Sequence, residues 1–208
     1  MQQGDVTVLS TLVFDIGNVL LRYEPDRPYR RLIPDAAERA DFMSRILPPQ
    51  WNIEQDRGRP WPEAEAIAIA EHPDYAELIR AWRRYWIEMI PGVFEANVGV
   101  LERALAQNIP TYAITNFASD TLAEAERHYP FLARFHGRVV SAEERLLKPD
   151  PAIYHVFLER FGKRAAECLF MDDSRANVES AARLGFSVVH VTPETDLVAE
   201  VRRHGFDV

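Results

Sequence analysis

Cysteine is almost missing from this chain. Cys168 is the one cysteine in 208 residues, so no disulfide can close within it. That suits a reducing compartment, and a cytoplasmic setting is expected. Cys168 opens the apolar run Cys168-Leu169-Phe170-Met171, where a buried strand thiol is expected and not a nucleophile. Long hydrophobic runs are lacking too. No stretch approaches the roughly 20 apolar residues of a membrane span. The opening Met1-Gln2-Gln3-Gly4-Asp5 has neither the basic nor the apolar part of a signal peptide. Positive charge is in deficit, with 24 basic against 32 acidic residues and a formal net charge of −8. An acidic chain without a basic stripe is a poor match for nucleic acid or an anionic membrane, although a local cluster of cations still admits a small anionic substrate. The six histidines show no metal-ligand spacing. There is no internal repeat and no low-complexity segment, and nothing sets an oligomeric state.

What the chain does have is alternation. Short apolar runs at Thr11–Asp15, Pro110–Thr115, Arg138–Ser141, Cys168–Met171 and Ser187–Val191 read as strands buried on both faces. Helical patterns lie between most of them. Phe94, Val98, Leu101 and Leu105 share one face; Ser119-Asp120 can cap a helix toward His128; Pro149 and Pro151 open another; Ser174 can cap a fourth that Gly185 stops. Strands alternating with helices predict an α/β fold with a mainly parallel sheet. Residues 22–91 break the pattern and contain no convincing strand. Ala36–Leu47 and Glu63–Glu71 read as helices, and Tyr75, Leu78, Ile79, Trp82, Tyr85, Trp86 and Met89 fall on one face of a third that Pro91 ends. The stretch Pro48–Pro60 reads as a loop. Residues 1–21 and 92–208 are therefore expected to form the core and 22–91 a helical lobe over one end of the sheet.

The strand ends carry the chemistry. Asp15 ends the first, Thr115-Asn116 the second, Lys148 follows the third, and Asp172-Asp173 end the fourth. In a parallel sheet these ends open on one edge, where such sheets bind ligands. Carboxylates, an ammonium and a hydroxyl would converge there. One strand-end aspartate often only caps a helix, but Asp172 beside Asp173 calls for a cation or a proton.

The stretches Val13-Phe14-Asp15-Ile16-Gly17-Asn18-Val19-Leu20, Ile114-Thr115-Asn116, Leu147-Lys148-Pro149-Asp150-Pro151 and Phe170-Met171-Asp172-Asp173-Ser174-Arg175-Ala176-Asn177 occur in this order across nearly the whole chain. The constellation resembles the haloacid dehalogenase superfamily with a helical C1-type cap. The Asp-Ile-Gly-Asn-Val opening is similar to the branch that holds a bacterial α-glucose-1-phosphate phosphatase. The resemblance implies a doubly wound, Rossmann-like parallel sheet with an inserted all-helical cap. It also implies a magnesium-dependent phosphatase on a small phosphate ester, possibly of a sugar, with Asp15 as covalent nucleophile. Asp15, the Gly17 carbonyl and Asp173 would hold Mg2+, with Asp172 binding directly or through water. Lys148 would neutralise Asp15 and a phosphoryl oxygen, Thr115 and Asn116 would help bind the phosphate, and Asn177 would orient Lys148 or the waters of the metal. The physical reading agrees, because phosphoryl transfer needs charge neutralisation and in-line positioning.

The chain departs from the family at Gly17. Most phosphatases of the superfamily carry a second aspartate there, which protonates the leaving alcohol. Two alternatives follow: a metal-free 2-haloacid dehalogenase, and a catalytically weak relative that serves as a binding module. Dehalogenases of the superfamily usually have tyrosine at the Gly17 position, serines at Asp172-Asp173 and aspartate at Asn177, so three positions weigh against the first. Within Pro48–Pro60, Trp51, Glu54, Asp56 and Arg57 are expected to face the crevice, Arg57 as a substrate contact. Trp82 and Trp86 read as cap core, and Arg30, Arg31, Arg83 and Arg84 as solvated faces. Without an acid beside Asp15, rates should fall steeply as the leaving group becomes poorer, unless Glu54 or Asp56 supplies the proton.

Overall fold

A short run of apolar residues with no polar alternation belongs in a parallel sheet, with helices over both faces. The computed structural model, which describes residues 8–208, has five such runs. They are β1 (Thr11–Phe14), β2 (Thr111–Thr115), β3 (Gly137–Val140), β4 (Cys168–Asp172) and β5 (Ser187–His190). All pair in parallel, in the order β3-β2-β1-β4-β5. The N-terminal stretch read above for a signal peptide lies outside the described residues.

Side chains of a strand alternate between faces, and each face here has its own core. Val13, Ile114, Val139 and Phe170 pack on the helix Pro151–Phe161 through Ile153, Tyr154 and Phe157. Leu12, Phe14, Leu169 and Met171 pack on the opposite side, against Val98 and Leu101 of Glu95–Ala106 and Val201 of Leu197–Arg203. The sheet is therefore doubly wound, with β1 at its centre and wholly buried. Its register brings Phe14 level with Ala113 of β2 and Met171 of β4, so Asp15 emerges between the ends of two neighbours. Cys168 is buried in β4, and desolvation pushes its thiol up to about 12. No helix among the described residues is long and apolar enough to cross a membrane.

Residues 22–91 form helices Tyr29–Leu32, Ala36–Arg45, Pro49–Asp56, Trp61–Glu71 and Ala76–Arg84. The two crossings between insert and core run side by side, where the Arg22 N–H donates to the Gly92 carbonyl at 2.9 Å. Inside the insert, Trp51 meets Trp61 and Trp82 edge-on, with ring centres 5.8 and 5.5 Å away. This core runs on into Ala118 and into Leu122 and Ala125 of the sheet-side helix Ser119–His128 that follows it. Polar contacts reinforce the seat. The Trp61 indole donates to Asp120 at 3.0 Å, and Arg83 pairs with Glu124 at 2.7 Å.

Several expectations need correcting. The stretch read as the loop Pro48–Pro60 holds the helix Pro49–Asp56. Two prolines and a tryptophan hide its period, but Pro49 sits at the first helical position, where its missing N–H costs nothing, and Trp51 and Gln55 share the buried face. The aromatic stripe from Tyr75 to Met89 is not one helix. It breaks at Tyr85 into a 3₁₀ turn, Trp86–Met89, and this turns Trp86 away from Trp82. Arg83 is not on a solvated face, because it bridges insert and core.

The turn after Pro49–Asp56 demands a glycine. Gly58 has φ +102°, and a Cβ there would lie 2.8 Å from the Ala142 carbonyl oxygen. Gly162 also has positive φ, but its Cβ would meet nothing within 4 Å. We expect Gly58→Ala to cost roughly 1–3 kcal/mol, from strain plus a backbone clash. That corresponds to about 2–4 °C in melting temperature per kcal/mol for a chain of this size. Gly162→Ala should cost less. Thermal melts of both check this, and equal losses would show that the contact with Ala142 yields.

Candidate active site

Asp15 leaves β1 with its backbone N–H held by the Met171 carbonyl at 2.8 Å. Its Oδ1 accepts the Ile16 N–H at 2.7 Å. The Lys148 ammonium lies 2.9 Å from the same oxygen and 2.6 Å from Asp172 Oδ2, and its side chain is 1 % exposed. No donor among the described residues meets Asp15 Oδ2. A buried ammonium without partners would lose its proton. Here burial pulls the Lys148 pKa down, but Asp15 and Asp172 outweigh it and leave it raised.

Lys148 is delivered by a backbone clamp. The Asn116 side chain donates to the Lys148 carbonyl at 3.0 Å and accepts its N–H at 2.8 Å, tying the loop after β3 to the end of β2. Asp172 is held just as firmly. Its Oδ1 accepts the Ser174 N–H at 2.8 Å and the Asn177 amide at 3.0 Å, while Oδ2 takes Lys148. Asp173 is half-buried, and its Oδ2 accepts the Asn18 amide at 3.1 Å. Asn18 stands in the left-handed region at φ 53°, a conformation asparagine tolerates.

One carboxylate oxygen each from Asp15, Asp172 and Asp173 lies within 4.8 Å of the others. Three carboxylates face one ammonium, a local excess of negative charge in a nearly dry setting. Desolvation, opposed by Lys148 and aided by Asp172, pushes Asp15 up to about 7. Desolvation also raises Asp173, against the pull of Asn18. Such a donor set of hard oxygens suits a divalent cation like Mg2+. The Gly17 carbonyl accepts no hydrogen bond among the described residues, so it too is free to ligate. Asp172 already has both oxygens hydrogen-bonded and so also positions Lys148, while it stays within the cluster that can hold the metal.

A cleft of about 90 Å³ opens beside Asp15 and Gly17. Asn116, Phe117 and Thr121 line it from the core, and Tyr23, Asn52, Asp56, Trp61, Trp86 and Ile90 from the insert. Thr115 is buried behind this lining, and its Oγ1 has no hydrogen-bond partner. The structure thus gathers Asp15, Gly17, Asn116, Lys148, Asp172 and Asp173, with Thr115 adjacent. It does not gather Arg57, whose guanidinium is 49 % exposed, 3.7 Å from Glu54 and outside the lining. Trp51 is not a cleft wall either, because it is buried in the core of the insert. Both errors have one cause. In the helix Pro49–Asp56, Asn52 and Asp56 lie four residues apart on the cleft side, which turns Trp51 and Arg57 elsewhere. Trp86 belongs to the insert core as expected and also lines the cleft, as do Phe117 and Tyr23, which carry no motif, and Asn18 joins the site through Asp173. Asn18 lies within the Asp15 motif, but its partnership with Asp173 spans 155 positions and leaves no local signal.

Comparison with known proteins agrees with this geometry. Residues 9–185 match the haloacid dehalogenase-like hydrolase family, and the chain belongs to that family. It is 26 % identical over 201 residues to the sesquiterpene phosphatase astK of Aspergillus oryzae, covering 95 % of this chain and 97 % of that one. Among solved structures it resembles a haloacid dehalogenase family enzyme of Bacteroides thetaiotaomicron in complex with magnesium and inorganic phosphate. The TM-score is 0.72 at 18 % identity, covering 92 % of this chain and 98 % of that chain. It also resembles the L-2-haloacid dehalogenase of Xanthobacter autotrophicus with chloropropionic acid covalently bound. There the TM-score is 0.64 at 18 % identity, covering 97 % of this chain and 85 % of that one. At such identities the two structures share the fold.

Asp15 should carry a stability cost in the metal-free protein. A carboxyl raised from its ordinary 3.8 to about 7 on folding weakens the fold as pH climbs through that interval, and the full penalty stands above it. Asp15→Asn removes the charge. We expect the metal-free variant to melt higher than the parent at pH 8, by about 2–4 °C for each kcal/mol relieved. The gap should close toward acidic pH. A variant less stable than the parent at pH 8 would show that the Lys148 contact outweighs desolvation.

Proposed function

We propose that the protein is a magnesium-dependent phosphatase that hydrolyses a small phosphate ester through an aspartyl phosphate. The observation that carries this reading is the pairing of Asp15 with a buried ammonium on one oxygen while the other is left without a donor. The Asp15 carboxylate attacks phosphorus, the bond to the alcohol oxygen breaks, and water later releases inorganic phosphate and restores Asp15. Lys148, held by Asn116 and Asp172, favours the ionised form of the attacking group and meets a phosphoryl oxygen. The Thr115 hydroxyl, buried with its hydrogen bond unmade, is a donor for another. Asp15, Asp173 and the Gly17 carbonyl, with Asp172 directly or through water, would hold Mg2+, whose charge would let a phosphate dianion approach a carboxylate. The sesquiterpene phosphatase relative supports the same chemistry.

The leaving group is the finer question. The resemblance suggested a sugar phosphate, but Tyr23, Trp61, Trp86, Ile90 and Phe117 form an apolar wall relieved mainly by Asn52, Asp56 and Asn116. Such a wall favours an ester with an aromatic or aliphatic group over a polyol. The dehalogenase reading fits less well. Carbon displacement needs a home for a departing halide, and a site with Asp172 and Asp173 repels one.

Purified protein should hydrolyse nitrophenyl phosphate in magnesium and stop when the metal is chelated. Asp15→Asn should lose at least about 10³-fold while keeping its fold by circular dichroism, the scale on which nucleophile and preorganised groups act. Turnover that survives both chelator and Asp15→Asn would refute the mechanism. Chloride release from 2-chloropropionate should be absent, and robust release in chelator would restore the dehalogenase. An aryl or prenyl phosphate should show a lower KM than glucose 1-phosphate; the reverse order would return the sugar ester.

A further inference from the structure

Gly17 leaves the alcohol oxygen without a proton donor at the position next to the nucleophile. A Cβ there would meet nothing within 4 Å and would face the cleft, so no clash excludes a side chain. The proton has to come from elsewhere in the same cleft. Of the groups lining it, Asp15 and Asp56 are the carboxyls, and Asp15 is taken as nucleophile. Glu54, the other acid in this part of the insert, lies outside the lining and faces Arg57.

Asp56 is held in the wall of this cleft. It ends the helix Pro49–Asp56, and its Oδ2 accepts the Asn52 amide at 3.0 Å. Its backbone carbonyl accepts the Ser141 hydroxyl, and Ser141 Oγ in turn accepts the Phe117 N–H at 2.9 Å. The turn that follows presses Gly58 onto Ala142. The helix end is thus latched to the core beside the cleft, although it belongs to the insert. Asp56 has no cation within salt-bridge range among the described residues, in contrast to Asp15. Desolvation raises it to about 7, with the Ala118 N–H opposing and the charge of Asp15 adding to the rise. A carboxyl in that range both donates and accepts a proton near neutral pH.

We infer that Asp56 is the general acid and base of the phosphatase proposed above, supplied from the helical insert in place of the side chain that Gly17 lacks. As Asp15 attacks phosphorus and the bond to the alcohol oxygen breaks, the Asp56 carboxylic acid gives its proton to that oxygen and the neutral alcohol leaves. The Asp56 carboxylate then takes a proton from the water that attacks the aspartyl phosphate. Phosphate departs and both aspartates return to their starting forms.

The test is a leaving-group series in magnesium, from nitrophenyl phosphate through phenyl phosphate to a primary alkyl phosphate. The parent protein should show a shallow dependence of kcat/KM on leaving-group pKa. Asp56→Asn should lose about 10²–10⁴-fold on the alkyl ester and less than about tenfold on nitrophenyl phosphate, so the series becomes steep. Adding Gly17→Asp to Asp56→Asn should restore part of the alkyl rate. Equal losses on both esters, in an Asp56→Asn variant with the parent's melting temperature, would overturn the assignment. So would a steep series in the parent. If Asp56→Asn does not fold, Asn52→Ala decides, because it removes the amide that holds the Asp56 carboxyl: a steeper series supports Asp56 and an unchanged one overturns it. Failure of the phosphatase reading itself looks different, because the parent would then turn over no ester in magnesium.

Discussion

The ammonium of Lys148 between Asp15 and Asp172 is the contact around which the rest of the site is arranged. A lysine this deeply buried keeps its charge only with carboxylates at hydrogen-bond distance, and two carboxylates this close stay ionised only with a cation between them. Each group is therefore a condition for the others. The supporting contacts follow from that need. Asn116 fixes the lysine backbone, and Asn177 with the Ser174 N–H saturates Asp172. Asn18 restrains Asp173. Of the two carboxylates that meet Lys148, Asp15 is the one with an oxygen left without a donor among the described residues, and a reactive group is expected where satisfaction is incomplete.

The sheet makes this arrangement affordable. β1 lies at the centre with a parallel neighbour on both sides, so its backbone is paired up to the point where Asp15 leaves it. β2, β3 and β4 deliver Thr115 and Asn116, Lys148, and Asp172 and Asp173 to the same edge. The insert supplies what the core lacks. It roofs the edge with aromatic rings and adds Asp56, and Arg83, Trp61 and the Ser141 hydroxyl bind it down. Specificity and, on our inference, proton transfer come from the insert, while nucleophile and charge balance come from the core.

The fold was legible because its signals are local. Short apolar strand runs, a helix closed by Gly185, and polar groups at or after the ends of four strands are patterns within a few positions of one another. Parallel pairing then brings those ends to one edge whatever the strand order. The helix Pro49–Asp56 was not legible, because prolines and a tryptophan disguised its period and its packing partners lie in other helices. The break at Tyr85 was hidden in the same way: one apolar stripe fits a straight helix, and only the seat against Phe117 bends Trp86 out of it.

By itself, the sequence determined the α/β core, the residues at its strand ends and the chemistry such residues support, since these depend on chain order and short-range pattern. The tertiary structure decided how they divide the work. Asp172 positions Lys148 as well as joining the acidic cluster, because Asn177 and Ser174 fix its carboxylate. Arg57 stays in solvent while Asp56 faces the cleft because the chain between them is the end of a helix, and successive residues there point about 100° apart. Those choices rest on contacts between residues far apart in the chain, and a linear reading carries no distance between them.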